Sequence, residues 1–245
     1  MTADAGAPPF GAAGRIGVIV PANNATLEPE LWSRVPPGVA VYATRILARG
    51  DLTPEAVRQM EREVDRAVDE LCATGVDVLL IADMVTTFIM EPGWNDTRTR
   101  GVTERTGVPC VSAWTALAAA LSALGARRLA LGTPYPRAIH ALTRPFFERE
   151  GFALTADGTL DILAMSEVPR VPPERIRTLV ASLDRRAADA VVLLATDLPT
   201  FSIIESLESE IGLPVLTSNQ ALLWRALRVC RNPAAVPGLG RLFAR

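Results

Sequence analysis

Two stretches of the chain repeat one pattern, and this repeat constrains the fold more than any other feature. Residues 76–88 read VDVLLIADMVTTF, and residues 189–201 read DAVVLLATDLPTF. Each stretch carries a continuous apolar run, which is typical of a strand buried on both faces of a parallel sheet. Each run then reaches Ala, a short polar tip and Thr-Phe. The repeat predicts two related half-molecules whose strand ends face each other across a cleft.

The rest of the chain alternates predicted strands with predicted helices. This pattern indicates an α/β fold of two pseudo-symmetric, doubly wound parallel-sheet domains with right-handed crossovers. Single helices are predicted from Thr53 to Gly75 and from Arg137 to Glu150, and Asn219 is predicted to cap the last helix. The predicted organisation is a disordered N-terminus at 1–14, a first half at 15–114 plus 219–245, and a second half at 115–218.

The composition excludes several classes of protein. Hydrophobic residues make up 49% of the 245 residues and charged residues 21%, which is ordinary for a soluble globular protein. The net charge of −2 and the lack of a basic cluster argue against a nucleic-acid partner. Three cysteines without CxxC spacing and one histidine argue against a disulfide scaffold or a metal site. Neither a signal peptide nor a membrane-length apolar run is present, so a cytoplasmic protein without a membrane partner is expected.

The polar residues that follow the predicted strands are the candidate binding groups. Ligands in open α/β sheets bind at the carboxyl ends of the strands. Hydroxyls, amides and free backbone N–H groups at such ends suit a small carboxylate. The predicted substrate-binding residues are Asn23, Asn24, Thr86, Thr87, Tyr135, Thr196, Asp197 and Thr200. Each residue alone also fits an ordinary turn or cap, and it is their position at every main strand end that favours binding.

Asp83 is the candidate catalytic residue, because it directly follows the first buried run. A second interpretation stays open, in which its carboxylate only caps the next helix and contributes about 1 kcal/mol. His140 lies one turn into a predicted helix, which is more typical of a solvated or core histidine. None of the three cysteines lies at a strand tip, where a nucleophilic thiolate would be needed.

The strand tips also match a known family in their order and spacing. The chain resembles the aspartate/glutamate racemase superfamily, in its maleate isomerase and arylmalonate decarboxylase branch. The resemblance extends over residues 15–243 and is carried by five segments: VPANNATLE at 20–28, TGVPCVS at 106–112, residues 124–135, DLPT at 197–200 and PGLGRLF at 237–243. It implies two pseudo-symmetric parallel-sheet domains with a carboxylate pocket between them and no cofactor.

The chain departs from the family at the two positions that matter most for chemistry. Members usually place a cysteine at each of two facing strand tips, and the resemblance puts Asp83 at the first position and Ala195 at the second. It also implies substrate binding by Asn23 or Asn24 and by Tyr135. An unshifted aspartate, near ~3.9, is a weaker base than a thiol, near ~8.5, by about 6 kcal/mol. Burial can offset part of that difference.

The function expected from these observations is a cofactor-independent lyase or isomerase, similar to the decarboxylase or to maleate isomerase. It would act on a small carboxylate or dicarboxylate, with Asp83 as its general acid/base and without a metal. Two alternatives stay open: a catalytically silent relative that binds a carboxylate, and a racemase or cis–trans isomerase that uses Asp83 and Asp197. The oligomeric state also stays open, with a homo-oligomer among the options.

Overall fold

The computed structural model describes residues 10–48 and 50–244, and it contains two four-stranded parallel sheets. The first sheet has the order β2-β1-β3-β4, with β1 (Gly14–Pro21), β2 (Val39–Ile46), β3 (Val78–Ile81) and β4 (Cys110–Ser112). The second has the order β6-β5-β7-β8, with β5 (Arg128–Thr133), β6 (Ala153–Thr159), β7 (Ala190–Leu193) and β8 (Val215–Thr217). The identical strand orders confirm the predicted pair of pseudo-symmetric α/β halves.

Helices connect these parallel strands in both halves. The helices before the last strand of the first sheet are α1 (Leu27–Arg34), α2 (Pro54–Glu61), α3 (Val64–Cys72), α4 (Thr86–Ile89) and α5 (Trp94–Thr106). Those that follow are α6 (Ala113–Leu124), α7 (Arg137–His140), α8 (Thr143–Arg149), α9 (Pro173–Ser182), α10 (Ile204–Ile211) and α11 (Ser218–Val229). Two 3₁₀ helices occupy Met165–Arg170 and Arg241–Ala244.

The two repeated stretches form β3 and β7, the strands on which the prediction of the fold was based. All four residues of each strand are buried, as expected for strands covered on both faces. In the first sheet β3 pairs with β1, and in the second sheet β7 pairs with β5 in the equivalent place. The apolar runs therefore build the two central strand pairs.

Helices α6 and α11 pack against each other and against strands of both sheets. Each follows the last strand of its sheet and starts with a capping box, formed by Ser112 with Thr115 and by Thr217 with Gln220. The prediction that Asn219 caps the last helix is wrong. Thr217 takes that position because its hydroxyl oxygen accepts from the Gln220 N–H, and Asn219 is left free to reach other partners.

The helix predicted from Thr53 to Gly75 is two helices, α2 and α3, separated by a turn at residues 62–63. Val57 of α2 packs in the main core, whereas Met60 of α2 and the buried residues of α3 pack in a second apolar cluster on the first sheet. The apolar spacing continues across the turn, so the sequence pattern did not reveal the break. The helix predicted from Arg137 to Glu150 is likewise divided into α7 and α8.

Residues 1–9 of the predicted disordered segment 1–14 lie outside the described residues, as does residue 245 of the predicted first half. Residues 10–14 are described, and the Ala13 N–H donates to the Gly38 carbonyl at 2.9 Å. Among the described residues, no helix has both the length and the apolar character that a membrane span requires.

The N-cap of α11 gives a prediction about stability. Thr217→Ala removes a buried N-cap acceptor, so we expect the free energy of unfolding to fall by about 1 kcal/mol or more. Thr217→Ser keeps the hydroxyl and should lose much less. Urea denaturation of both variants measures the difference, and equal stabilities would show that the cap has no role.

Candidate active site

The candidate site lies where the strand order of each sheet reverses. In the first sheet the chain runs from β1 outward to β2 and then returns to the other side of β1 as β3; the second sheet does the same with β5, β6 and β7. The crevice outside the carboxyl ends at such a switch point is the usual ligand site of an open α/β sheet. The residues that follow β1, β3, β5 and β7 meet there in a single cavity.

This cavity has a volume of about 40 Å³ and is lined by both halves. Its polar lining residues are Asn23, Asn24, Asp83, Tyr135, Thr196 and Asp197. Apolar side chains also line the cavity, among them Leu52, Val57 and Met60 from the first half and Ile162, Met165 and Val168 from the second. The lining thus combines polar groups from the strand tips with apolar side chains, which suits a small ligand with a polar end.

Asp83 is 5% exposed, and its carboxylate is held in one orientation. One oxygen accepts from the Val85 N–H at 3.1 Å, and the other accepts from the Thr86 hydroxyl. Burial raises the pKa of Asp83 from 3.8 to about 6, against the lowering effect of these hydrogen bonds. At neutral pH Asp83 is therefore a carboxylate that can take up a proton without a large free-energy cost.

Asp197 and Tyr135 reach the same cavity from the second half. Burial, together with the nearby charge of Asp83, raises the pKa of Asp197 from 3.8 to about 7. The Tyr135 ring is 4% exposed, and its hydroxyl has no hydrogen-bond partner among the described residues. Burial raises the Tyr135 pKa well above 10, so its hydroxyl remains a donor. A buried donor without a partner is costly and is available to a ligand.

Asn24 is 1% exposed and ties the two halves together. Its side-chain oxygen accepts from the N–H groups of Thr26 and Leu27 at 2.9 and 3.0 Å, at the start of α1. Its amide nitrogen donates to the Thr196 hydroxyl at 3.2 Å, and that hydroxyl donates to the Ala82 carbonyl at 2.9 Å. These contacts fix the tip of β7 against the tip of β3.

Glu30 is a residue of this region that the sequence analysis missed. One of its carboxylate oxygens accepts from the backbone N–H groups of Thr200 and Phe201 at 2.6 and 2.7 Å. The other accepts from the Asn219 amide at 2.7 Å, and Asn219 also donates to the Thr196 carbonyl at 2.9 Å. Burial raises the Glu30 pKa from 4.5 to about 7. In sequence, Glu30 looks like an ordinary acid in the first turn of a helix.

Ala195 lies in the cavity with a φ of +88°, in the left-handed region. Residues with a Cβ rarely adopt this region, and the conformation costs about 1–2 kcal/mol. Such strain is found most often at functional sites. No sequence signal indicated it, because alanine is not typical of this conformation.

Not all predicted binding residues line the cavity. The Thr86 hydroxyl donates to Asp83, whereas the Thr87 hydroxyl donates to the Asn95 side chain at 3.4 Å, away from the cavity. The Thr200 hydroxyl is buried without a partner among the described residues, beside the Glu30 contact. His140 lies outside the cavity, between Thr133 and Asp157, at 3.0 Å from each.

The described part of the chain holds no cluster of three or more His, Cys, Asp or Glu residues suited to a metal ion. Cys72, Cys110 and Cys230 are free thiols, and none of them lines the cavity. Burial raises the pKa of Cys110 to about 12 and that of Cys230 to about 11, which disfavours the reactive thiolate form.

Comparison with known proteins agrees with this geometry. The family model described as arylmalonate decarboxylase matches residues 16–243, nearly the whole chain. The chain belongs to this family. It is 32% identical to the maleate isomerase of Nocardia farcinica over 238 residues, covering 94% of this chain and 95% of that protein. It is 31% identical to the arylmalonate decarboxylase of Bordetella bronchiseptica over 231 residues, covering 93% and 95%.

Solved structures of relatives share the fold closely. A cysteine-to-serine variant of the Nocardia farcinica maleate cis-trans isomerase, with a covalently bound succinylcysteine intermediate, has a TM-score of 0.89 at 33% identity and covers 94% of this chain and 98% of its own. A cysteine-to-alanine variant of a Pseudomonas putida maleate isomerase with maleate also has a TM-score of 0.89, at 28% identity, covering 94% and 97%. The relatives are thus enzymes of isomerase and lyase type, as expected from the sequence.

The strain at Ala195 gives a prediction about stability. Ala195→Gly should raise the free energy of unfolding by up to about 1 kcal/mol, because glycine adopts the left-handed region without strain. The larger conformational entropy of glycine in the unfolded chain offsets only part of this gain. Ala82→Gly is the matched control at the tip of β3, where φ is not positive, and it should destabilise. Thermal unfolding compares the two variants. A lower stability of Ala195→Gly would contradict the claim that the backbone of Ala195 is strained.

The shifted pKa of Glu30 predicts a dependence of stability on pH. Between about pH 4.5 and 7 the folded protein holds the Glu30 proton while the unfolded chain releases it, so the free energy of unfolding decreases as pH rises. Glu30→Gln removes this titration. We expect its melting temperature to fall less between about pH 5 and pH 8 than that of the unmodified protein. The exposed Glu55→Gln is the control, and equal slopes for all three proteins would refute the assignment.

Proposed function

We propose that the chain is a cofactor-independent lyase or isomerase that moves a proton at the carbon next to a carboxylate. Its substrate is a small carboxylate or dicarboxylate, and Asp83 is the general acid/base. The observation that carries the proposal is the position of Asp83, buried at a switch point and facing the cavity with a pKa raised to about 6. A pKa near the working pH is the property that a proton-transferring group needs.

The family supports the substrate class. The Pseudomonas putida relative is described with maleate, and other members are arylmalonate decarboxylases. Maleate and malonates are small dicarboxylates, and the polar groups that line this cavity fit such a ligand. Tyr135 would donate its unpaired hydroxyl to a carboxylate oxygen, and Asn23 would orient the ligand. Asn24 and Thr196 would act mainly by holding the strand tips in place, since the Asn24 amide and the Thr196 hydroxyl already have partners.

The chemistry would differ from the thiol chemistry of the relatives. The Nocardia farcinica enzyme forms a succinylcysteine, which requires a cysteine at the reacting carbon. The resemblance assigns Asp83 and Ala195 to the two family cysteine positions, and no described cysteine reaches the cavity. A buried carboxylate can exchange a proton with carbon on one face of the ligand but replaces a thiol nucleophile poorly. Proton transfer is therefore favoured over a covalent intermediate.

Asp197, predicted from the sequence as a binding residue, is a second titrating group of the cavity. Its presence favours the alternative of an isomerase or racemase that uses Asp83 and Asp197 on opposite sides of the ligand. Thr86, Thr87 and Thr200 stay predictions as binding residues. A cytoplasmic location and a homo-oligomer stay predictions as well.

The role of Asp83 is tested by Asp83→Asn, which keeps the size of the side chain and removes its titrating proton. Turnover of the active dicarboxylate, or exchange of its α-proton in deuterated water followed by NMR, should fall by roughly 10²–10⁴-fold. Binding should persist, because a negative charge beside an anionic ligand is removed. The control is Asp184→Asn, whose carboxylate is exposed and paired with Arg186.

Two results would contradict this proposal in different ways. Undiminished turnover in Asp83→Asn would remove Asp83 from the mechanism and leave it as a helix cap. Ligand-induced thermal stabilisation without turnover of any maleate or malonate would show a catalytically silent binding protein.

The cysteines give an independent prediction. Replacing Cys72, Cys110 and Cys230 with serine or alanine should leave turnover within a few-fold once stability is taken into account, since none lines the cavity. Steady-state kinetics of the triple variant measures this. Loss of activity in a correctly folded single Cys110 variant would mean that a thiol takes part.

A further inference from the structure

The cavity brings together two carboxyl groups that come from different halves of the molecule. Asp83 follows β3 in the first half, and Asp197 follows β7 in the second. Ala82 directly precedes Asp83, and Thr196 directly precedes Asp197. The Thr196 hydroxyl donates to the Ala82 carbonyl at 2.9 Å, and this hydrogen bond fixes the spacing of the two acids. The Thr26 hydroxyl also donates to the Asp197 carbonyl at 2.7 Å. The two acids therefore cannot separate without breaking the contact between the halves.

The surroundings of the two carboxyl groups differ. Asp83 accepts from the Val85 N–H and from the Thr86 hydroxyl, and both bonds stabilise its ionised form. The Asp197 carboxyl is stabilised only by its own backbone N–H among the described residues, and the neighbouring charge of Asp83 disfavours its ionisation. Among the described residues, the titrating groups that line the cavity are these two acids and Tyr135. Asp83 is thus suited to accept a proton, and Asp197 to donate one.

The covalent intermediate of a relative indicates which reaction such a pair would carry out. A succinylcysteine corresponds to a thiol whose sulfur and hydrogen have added across the double bond of maleate. A carboxylate is a poor nucleophile towards such a carbon, but it is an effective general base for water. The cavity, of about 40 Å³, admits a water molecule, which needs roughly 10–15 Å³. A water held by Asp83 would take the place of the thiol as the group that adds.

We propose that this site adds water across the double bond of a small unsaturated dicarboxylate, or removes it from the corresponding 2-hydroxy acid, with Asp83 as the base and Asp197 as the acid. This inference rests on the proposed function, names its reaction and divides the acid/base role, so that Asp83 acts on water and Asp197 supplies the proton at carbon. Asp83 takes a proton from water while the oxygen bonds to one alkene carbon. The π electron pair moves to the neighbouring carbon, which takes the proton of Asp197.

The atoms balance as the net addition of one water, without an oxidant or a reductant. Afterwards Asp83 carries a proton and Asp197 has lost one, and exchange with solvent restores both. Tyr135 completes the arrangement: its hydroxyl has no described partner and would donate to the carboxylate whose negative charge grows as the π pair moves. The raised pKa of Tyr135 keeps that proton in place.

The experiment incubates the full chain with maleate, and separately with fumarate, in water enriched in ¹⁸O. NMR identifies the products and mass spectrometry measures the label. The expected result is 2-hydroxysuccinate with one ¹⁸O in its hydroxyl group. Asp83→Asn and Asp197→Asn should each lower its formation by about 10²-fold or more, while Asp184→Asn should not. The pH profile should lose its acidic limb in Asp83→Asn and its alkaline limb in Asp197→Asn.

The outcomes separate this inference from the proposed function. Conversion of maleate to fumarate, or decarboxylation of phenylmalonate, without a labelled hydroxy acid would overturn hydration and leave the proposed function standing. No turnover of any of these compounds, in protein whose melting temperature rises with them, would overturn both. Since Asp197→Asn could disturb the fold, its melting temperature is measured too. Full hydration activity in a folded Asp197→Asn variant would overturn the role of Asp197.

Discussion

The hydrogen bonds between the tips of β3 and β7 are the contacts on which the rest of the site depends. The Thr196 hydroxyl accepts from Asn24 and donates to the Ala82 carbonyl, so one side chain joins three chain segments. Glu30 and Asn219 close a second set of contacts around the same tip. Buried polar groups of this kind are costly when unpaired and strongly orienting when paired. The cavity exists because these bonds can form only when the two halves meet in one arrangement.

The same contacts explain the electrostatics of the cavity. Holding two strand tips together buries Asp83 and partly buries Asp197, and desolvation raises the pKa of both carboxyl groups. Tyr135 is buried beside them with its hydroxyl unpaired. The hydrogen bonds between the halves thus hold these polar groups in a site that is largely shielded from water. The contact between the halves thereby sets the pKa of Asp83, on which its proposed role as a general acid/base depends.

Much of this could be predicted from the sequence, because the signals were local. The apolar runs of β3 and β7 predicted the two sheets, and the polar residues at the strand ends predicted the polar lining of the cavity. The apolar lining from residues 52–60 and 162–168 was not predicted. The direction of each side chain could not be predicted. Thr86 and Thr87 lie in the short helix α4, where neighbouring side chains point about 100° apart, so only Thr86 reaches Asp83. Glu30 was missed since its partners lie about 170 residues away, beyond any local pattern.

Asp83 and Ala195 lie just beyond the last residues of β3 and β7 and take no part in the pairing of the strands. Asp83 and Ala195 can therefore be exchanged for other residues without disturbing strand pairing, and even the left-handed backbone at Ala195 persists with a methyl side chain. In such an architecture the residues that face the ligand site and the residues that build the sheets are different sets. A substitution at a strand tip can therefore change what the cavity presents to a ligand while the register of the strands behind it stays the same.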